Sequence, residues 1–177
     1  PSNLIYKNNF VCANAKKLHL ELKNGKEIFS YSEEKVLKLS SLDVILMRQD
    51  PPFNMSYITA THILEKIASE TLILNDPFHV RNAPEKIFVT EFSKFMPETL
   101  ITRDTNEIIR FKKKYKNIII KPLYGNGGQG VFYIKENDSN FNVILENFLN
   151  LNEEQFIIQS YIPEVKNGDK RIILIDG

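Results

Sequence analysis

Apolar and polar residues along this chain switch repeatedly between a period of two and a period near 3.6. Leu18, Leu20 and Leu22 alternate with His19, Glu21 and Lys23, Asn24-Gly25 supplies turn chemistry, and residues 28–31 return, which predicts a β-hairpin. Residues 42–47 read as a buried strand that Pro51-Pro52 terminates. Tyr57, Ile58, Ala60, Thr61, Leu64, Ile67 and Ala68 make a helical stripe, residues 71–74 a short strand, and Asp76-Pro77 a helix cap followed by proline at the first turn. Helical spacing recurs at 82–95, 105–115 (capped near Asp104) and 141–149, and strands are predicted at 99–102, 118–120, 131–134, 156–158 and 171–175. The alternation predicts an α/β fold, with a partial N-terminal α/β lobe over 1–117 and a second part over 118–177.

Composition adds mainly exclusions. With 177 residues, 42% hydrophobic and 25% charged, the chain can bury a core and is ordinary for a soluble protein. Twenty-three Lys plus Arg stand against 22 Asp plus Glu, so no overall field favours nucleic acid or an anionic membrane. The run Lys112-Lys113-Lys114-Tyr115-Lys116 reads as the solvated last turn of a helix, where cations suit the macrodipole. Cys12 stands alone, which excludes an intrachain disulfide and a cysteine-rich metal site and fits a cytoplasmic setting. No apolar run approaches the ~20 residues of a membrane-spanning helix. His19, His62 and His79 lack ligand-like spacing. The chain opens on Pro1 and stops at Asp176-Gly177, a pair that commonly starts a hairpin, so it reads as a piece of a longer protein with a partner strand to follow.

The candidate chemistry lies between two strands. Lys121 ends the first, and Gly125, Gly127, Gly128 and Gly130 fill the loop before Val131. Glycines that accept positive φ bring backbone N–H groups close to an anion, and the lysine supplies a fixed charge, a grip suited to a nucleoside triphosphate. The spacing G-x-G-x-x-G does not indicate a dinucleotide fold here, because these glycines open a strand rather than a helix. A protein kinase is excluded by the missing H-R-D and D-F-G segments. A glycine-rich hairpin without a ligand stays open at this point.

Three segments in order carry a resemblance: Asp43-Val44-Ile45-Leu46-Met47-Arg48-Gln49-Asp50-Pro51-Pro52-Phe53, then Ile119-Ile120-Lys121-Pro122-Leu123-Tyr124-Gly125-Asn126-Gly127-Gly128, then Gly168-Asp169-Lys170-Arg171. Together they resemble bacterial glutathione synthetases of the ATP-grasp superfamily, over roughly residues 40–177, with residues 1–39 matching weakly. The resemblance implies a truncated ATP-grasp domain from residue 118 and ATP-dependent joining of γ-glutamylcysteine to glycine through an acyl phosphate. Such chemistry relies on positioning and electrostatics rather than a protein nucleophile. It implies that Lys121 contacts the phosphates and that Gly125, Asn126, Gly127, Gly128, Gln129 and Gly130 close over them. Gln159, Ser160, Tyr161 and Ile162 would form the hinge beside adenine, Arg48 and Asp50 would face the dipeptide, and Arg171 would clamp phosphate and carboxylate. Magnesium is implied too, with its ligands downstream of Gly177 and none within this chain.

Each role has a structural rival. Lys121 could be a surface lysine, Tyr161 a core residue, Arg171 a solvated strand end, and Arg48 and Asp50 could pair with each other across a turn. Many ATP-grasp proteins carry a second lysine on the strand entering the hinge, but Phe156, Ile157 and Ile158 stand there, so Lys166 or Lys170 substitutes or the contact is missing. Another ATP-grasp carboxylate–amine ligase and a non-catalytic nucleotide-binding scaffold are the alternative functions, and a homo-oligomer is compatible with either.

Overall fold

A computed structural model describes residues 3–151 and 153–175, which divide into two compact units, 1–84 and 85–177. In the first unit, β1 (Leu4–Lys7) and β2 (Phe10–Ala15) form an antiparallel hairpin whose two-residue turn, Asn8-Asn9, takes φ of 51° and 66°. Asparagine tolerates that left-handed region because its short amide bonds locally. β3 (Leu18–Lys23) and β4 (Lys26–Tyr31) make the hairpin expected from their alternation, turning at Asn24 and Gly25 with φ of 54° and 74°. Every residue of both strands is exposed, so the alternation is real but no core face is buried behind it. β5 (Lys35–Lys38) then pairs with β2, giving the sheet order β1-β2-β5. These three strands lie outside the sequence expectation, which placed only one hairpin in this region.

The rest of the first unit is a short strand–helix–strand unit. β6 (Val44–Leu46) leads through Pro51 and Pro52 to α1 (Met55–Glu65), whose first turn is capped by the Asn54 side chain accepting from the Tyr57 N–H at 3.1 Å. β7 (Leu72–Leu74) returns parallel to β6, and α2 (Pro77–Asn82) follows with Asp76 accepting from the His79 N–H at 3.0 Å. Val11, Leu39, Leu64, Ile67 and Ile73 form the core of this unit.

The second unit begins with α3 (Glu85–Phe88) and a 3-10 stretch, Val89–Phe95, kinked at Phe92, so the helix expected over 82–95 is broken into two pieces. β8 (Thr99–Thr102) precedes α4 (Thr105–Tyr115), whose cap is the Asp104 carboxylate accepting from the N–H groups of Asn106 and Glu107 at 2.8 and 3.2 Å. β9 (Ile118–Pro122), β10 (Phe132–Ile134), α5 (Phe141–Leu151) and β11 (Phe156–Ser160) complete an antiparallel sheet of order β10-β9-β11-β8. β8 pairs with β11 from Thr102 opposite Phe156 to Thr99 opposite Gln159. Ile108 of α4 is buried in the same cluster as Ile118, Ile120, Phe148, Phe156 and Ile158. Those contacts bind residues 85–117 to the second unit, which puts the division at 84/85 rather than at the expected 117/118.

Residues 171–175 do not form the expected strand. Ile172, Ile173, Leu174 and Ile175 are 75–86% exposed, and among the described residues no neighbouring strand offers them a ladder. A β-run gains its backbone bonds only from such a partner. Asp176 and Gly177, read as the start of a turn, lie outside the described residues.

Candidate functional site

Period-two alternation gives the sheet of the second unit two faces. Ile118, Ile120, Ile134, Phe156 and Ile158 point into the core beneath α4 and α5, all fully buried. Cross-strand register therefore puts Ile119 and Lys121 of β9 on the opposite face, with Tyr133 of β10, Ile157 and Gln159 of β11 and Thr99 of β8. Lys121, expected from sequence to meet phosphates, is half-buried at the end of its strand. Burial is the largest cause that lowers its pKa below the ordinary lysine range; the positive charge of Lys86 lowers it further, and Glu85 opposes both.

Lys86 was not singled out by sequence, and the fold brings it to the loop. Its Nζ donates to the Gly125 carbonyl oxygen at 2.8 Å, across 39 residues of sequence. A second cation thus stands where Lys121 feels it. A lone Glu-Lys pair after Pro84 carries no local pattern, so only the tertiary contact reveals it.

The loop itself folds back through two tight turns, in which Gln129 N donates to Asn126 O at 3.3 Å and Val131 N to Gly128 O at 3.4 Å. Gly127 and Gly130 hold φ of 62° and 69°, and a Cβ on Gly130 would come within 2.9 Å of the Pro122 ring. Gly125 does not share the positive φ expected for all four glycines; its role is the carbonyl that holds Lys86. Residues 124–130 are exposed, which leaves the loop's amide groups within reach of an anion.

Beyond β9, the residues expected to form the hinge, Gln159, Ser160, Tyr161 and Ile162, lie in the same unit. Gln159 Nε2 donates to Thr99 Oγ1 at 2.9 Å, and the Tyr161 ring stacks on Tyr133 with centroids 4.1 Å apart. The Ser160 N–H goes to the Glu98 carbonyl at 2.9 Å and the Tyr161 N–H to Asn117 at 3.0 Å, so these two amides are spent within the fold. Ile162, the next residue, is 47% exposed. Lys121, the loop and the expected hinge residues thus all fall in one unit. Arg171 belongs to that unit as well, exposed and outside any strand.

Arg48 and Asp50 lie in the first unit, where with Met47, Gln49 and Asn75 they line a cavity of about 350 Å³. Among the described residues they form no ion pair with each other. Arg81 is the guanidinium of this unit that is tied down: Nη1 sits 2.8 Å from Glu65 Oε2, near enough for an ion pair but out of line for N–H donation, while the group packs over the Phe78 ring. Among the described residues no three His, Cys, Asp or Glu side chains converge as metal ligands, and no helix is long and apolar enough to cross a membrane.

The electrostatics of Lys121 give a direct expectation. Because its folded pKa is lowered, the unfolded chain binds more protons between that value and the ordinary one, and this group's contribution to stability rises with pH through that window. An anion bound beside it favours the charged form and raises the pKa again. In an NMR titration of 13C-dimethylated lysines, the Lys121 signal is expected to titrate below those of exposed lysines, to move up in Lys86→Met, and to move up further with nucleotide. An unchanged midpoint in Lys86→Met would remove Lys86 from the site.

Comparison with known proteins accounts for both units. The family model for the prokaryotic glutathione synthetase N-terminal domain matches residues 1–81, and that for the prokaryotic glutathione synthetase ATP-grasp domain matches residues 85–177. Residues 1–39, expected to match weakly, thus fall within the first match. Glutathione synthetase from Agrobacterium fabrum is 51% identical over all 177 residues, and that from Buchnera aphidicola (Acyrthosiphon pisum) is 47% identical over 158 residues, or 88% of this chain. The chain spans 55% and 49% of those two proteins' lengths, respectively. Among solved structures, D-cycloserine synthetase DcsG aligns with 73% of this chain and 47% of its own at a TM-score of 0.53 and 14% identity, which shows a shared fold. A RimK domain ATP-grasp protein from Sphaerobacter thermophilus aligns with 68% of this chain and 46% of its own at a TM-score of 0.51 and 16% identity, to the same effect. With both units matched in sequence order and relatives half identical across its length, the chain belongs to the prokaryotic glutathione synthetase family.

Proposed function

We propose that the full-length protein joins γ-glutamylcysteine to glycine at the expense of ATP, and that the second unit described here supplies the grip on the nucleotide. The observation that carries this reading is the pairing of half-buried Lys121 with Lys86, anchored on the first glycine of the loop, in a chain of this family. Activating a carboxylate as an acyl phosphate requires that the negative charge of the transferred group be met by fixed cations in a site that excludes water. Lys121 and Lys86 provide two such charges from rigid elements. The loop from Gly125 to Gly130 supplies backbone N–H donors, and its closure over the phosphates keeps water from the activated carboxylate. Tyr161 and Ile162 offer an apolar edge to the base, and Arg171 clamps the carboxylate or the transferred phosphate through its guanidinium.

Arg48 and Asp50 face the dipeptide in this reading, magnesium partners the phosphates, and the cytoplasm supplies ATP. The test is phosphate release by the full-length protein with ATP, γ-glutamylcysteine and glycine, supplied together and separately. Release that requires both substrates is the expected result. Release with a different carboxylate and amine would assign another ligase reaction, and nucleotide binding without release under any combination would make the protein a scaffold.

A further inference from the structure

β6 and β7 run parallel and in register, Leu46 opposite Leu74, and the chain leaves both strands at the same end. Met47 N donates across to Leu74 O at 2.5 Å, holding the two exits side by side, and Arg48 N turns back to Leu46 O of its own strand at 2.9 Å. The carboxyl ends of adjacent parallel strands are where open α/β sheets bind ligands, and a cavity of about 350 Å³ opens there, lined by Arg48, Gln49, Asp50 and Asn75.

The charges in this cavity are unusual. Arg48 and Asp50, two residues apart, both line it, yet among the described residues neither side chain forms an ion pair with the other or with any third group. A simple anion would be drawn to Arg48 and repelled by Asp50, and a simple cation the reverse. A group that carries both charges on one carbon satisfies both. Asn75, arriving from the other strand, adds an amide that donates and accepts.

We propose that this cavity holds the α-amino-acid head of a γ-glutamyl residue, with Arg48 on its α-carboxylate, Asp50 on its α-ammonium and Asn75 as a specificity-determining residue beside them. The inference rests on the reading above that γ-glutamylcysteine is a substrate. Glycine is also a zwitterion, but its nitrogen must lose a proton to attack, and a carboxylate against it would hold that proton in place. The ammonium of the γ-glutamyl head takes no part in bond formation, so Asp50 suits it without cost to the reaction.

Three dipeptides test the assignment in the full-length protein: γ-glutamylcysteine, 4-aminobutyrylcysteine, which lacks the α-carboxylate, and glutarylcysteine, which lacks the α-amino group. Losing one charge-assisted hydrogen bond lowers apparent affinity by about tenfold or more. Arg48→Gln is expected to raise KM for γ-glutamylcysteine by that factor and to leave KM for 4-aminobutyrylcysteine within about twofold. Asp50→Asn is expected to behave likewise with glutarylcysteine. Asn75→Ala raises KM for the natural dipeptide while kcat and KM for ATP hold. The wild-type protein should itself discriminate against both analogues, a measurement that depends on no variant. Equal penalties of Arg48→Gln on all three dipeptides, or a penalty that falls on KM for glycine, would overturn the assignment while leaving the ligase reading intact. A wild-type protein that releases no phosphate with γ-glutamylcysteine would overturn both.

Discussion

Replacing Lys121 with methionine is expected to lower ATP-dependent phosphate release by the full-length protein about a hundredfold to a thousandfold, the loss typical of deleting one preorganised charge or donor at a transferring group. Methionine keeps most of the length of the side chain and fills the half-buried space at the end of β9, so the variant removes a charge rather than a packing element. The charge is effective for the same reason that its pKa is lowered: partial burial takes Lys121 out of full solvation. Lys86, donating to Gly125 O from α3, stays in place and keeps part of the ground-state affinity for nucleotide. The loss should therefore fall more on kcat than on KM for ATP. Steady-state kinetics of Lys121→Met and Lys86→Met, each with an unfolding curve, decide this. A loss below about tenfold in Lys121→Met would show that Lys121 is a strand-end lysine with no part in the chemistry.

The contrast between these two lysines marks how far the sequence could be read. Lys121 announced itself because strand, proline and glycine loop are contiguous, and contiguous patterns are what periodicity and turn chemistry report. Lys86 reaches the same loop from 39 residues away through one side-chain contact, which no local spacing encodes. The same logic separates the elements of the fold. Asp104 capping α4 and Asp76-Pro77 opening α2 are local and were legible. The Asn8-Asn9 turn was local too, with a recognisable asparagine signal, but the short strands on either side of it lack clean alternation and so went unread. The division at 84/85 depends on β8 pairing with β11, a contact between segments more than fifty residues apart that only the folded sheet displays. At 171–175 the opposite failure occurs: β-branched residues suggest a strand, but among the described residues no neighbouring backbone completes it.

Truncating Phe156 to alanine is expected to destabilise the second unit by roughly 3–5 kcal/mol, the range for removing a buried aromatic ring without collapse of the site. Phe156 is fully buried in β11, paired with Thr102 of β8 on one side and Pro122 of β9 on the other. Its ring meets Phe148 of α5 edge-on at 5.1 Å, and the Arg103 guanidinium lies 5.6 Å from its centre. The ring belongs to one buried cluster with Ile118 and Ile120 of β9, Ile134 of β10, Ile108 of α4 and Phe148 of α5, and neighbours held by separate elements cannot all move in to fill the space. A loss of this size is a large fraction of the ~5–15 kcal/mol that holds an ordinary domain together. Its consequence should reach the nucleotide, because β11 runs on from Phe156 to Gln159 and Ser160 and so fixes the hinge. The expected result in Phe156→Ala is a lower urea midpoint at unchanged slope, with nucleotide affinity falling as the folded fraction falls and recovering when saturating nucleotide pulls the unit back to the folded state. Phe156→Leu, which keeps most of the apolar volume, should lose much less. Equal losses in the two variants would mean that the ring's packing is not what secures β11.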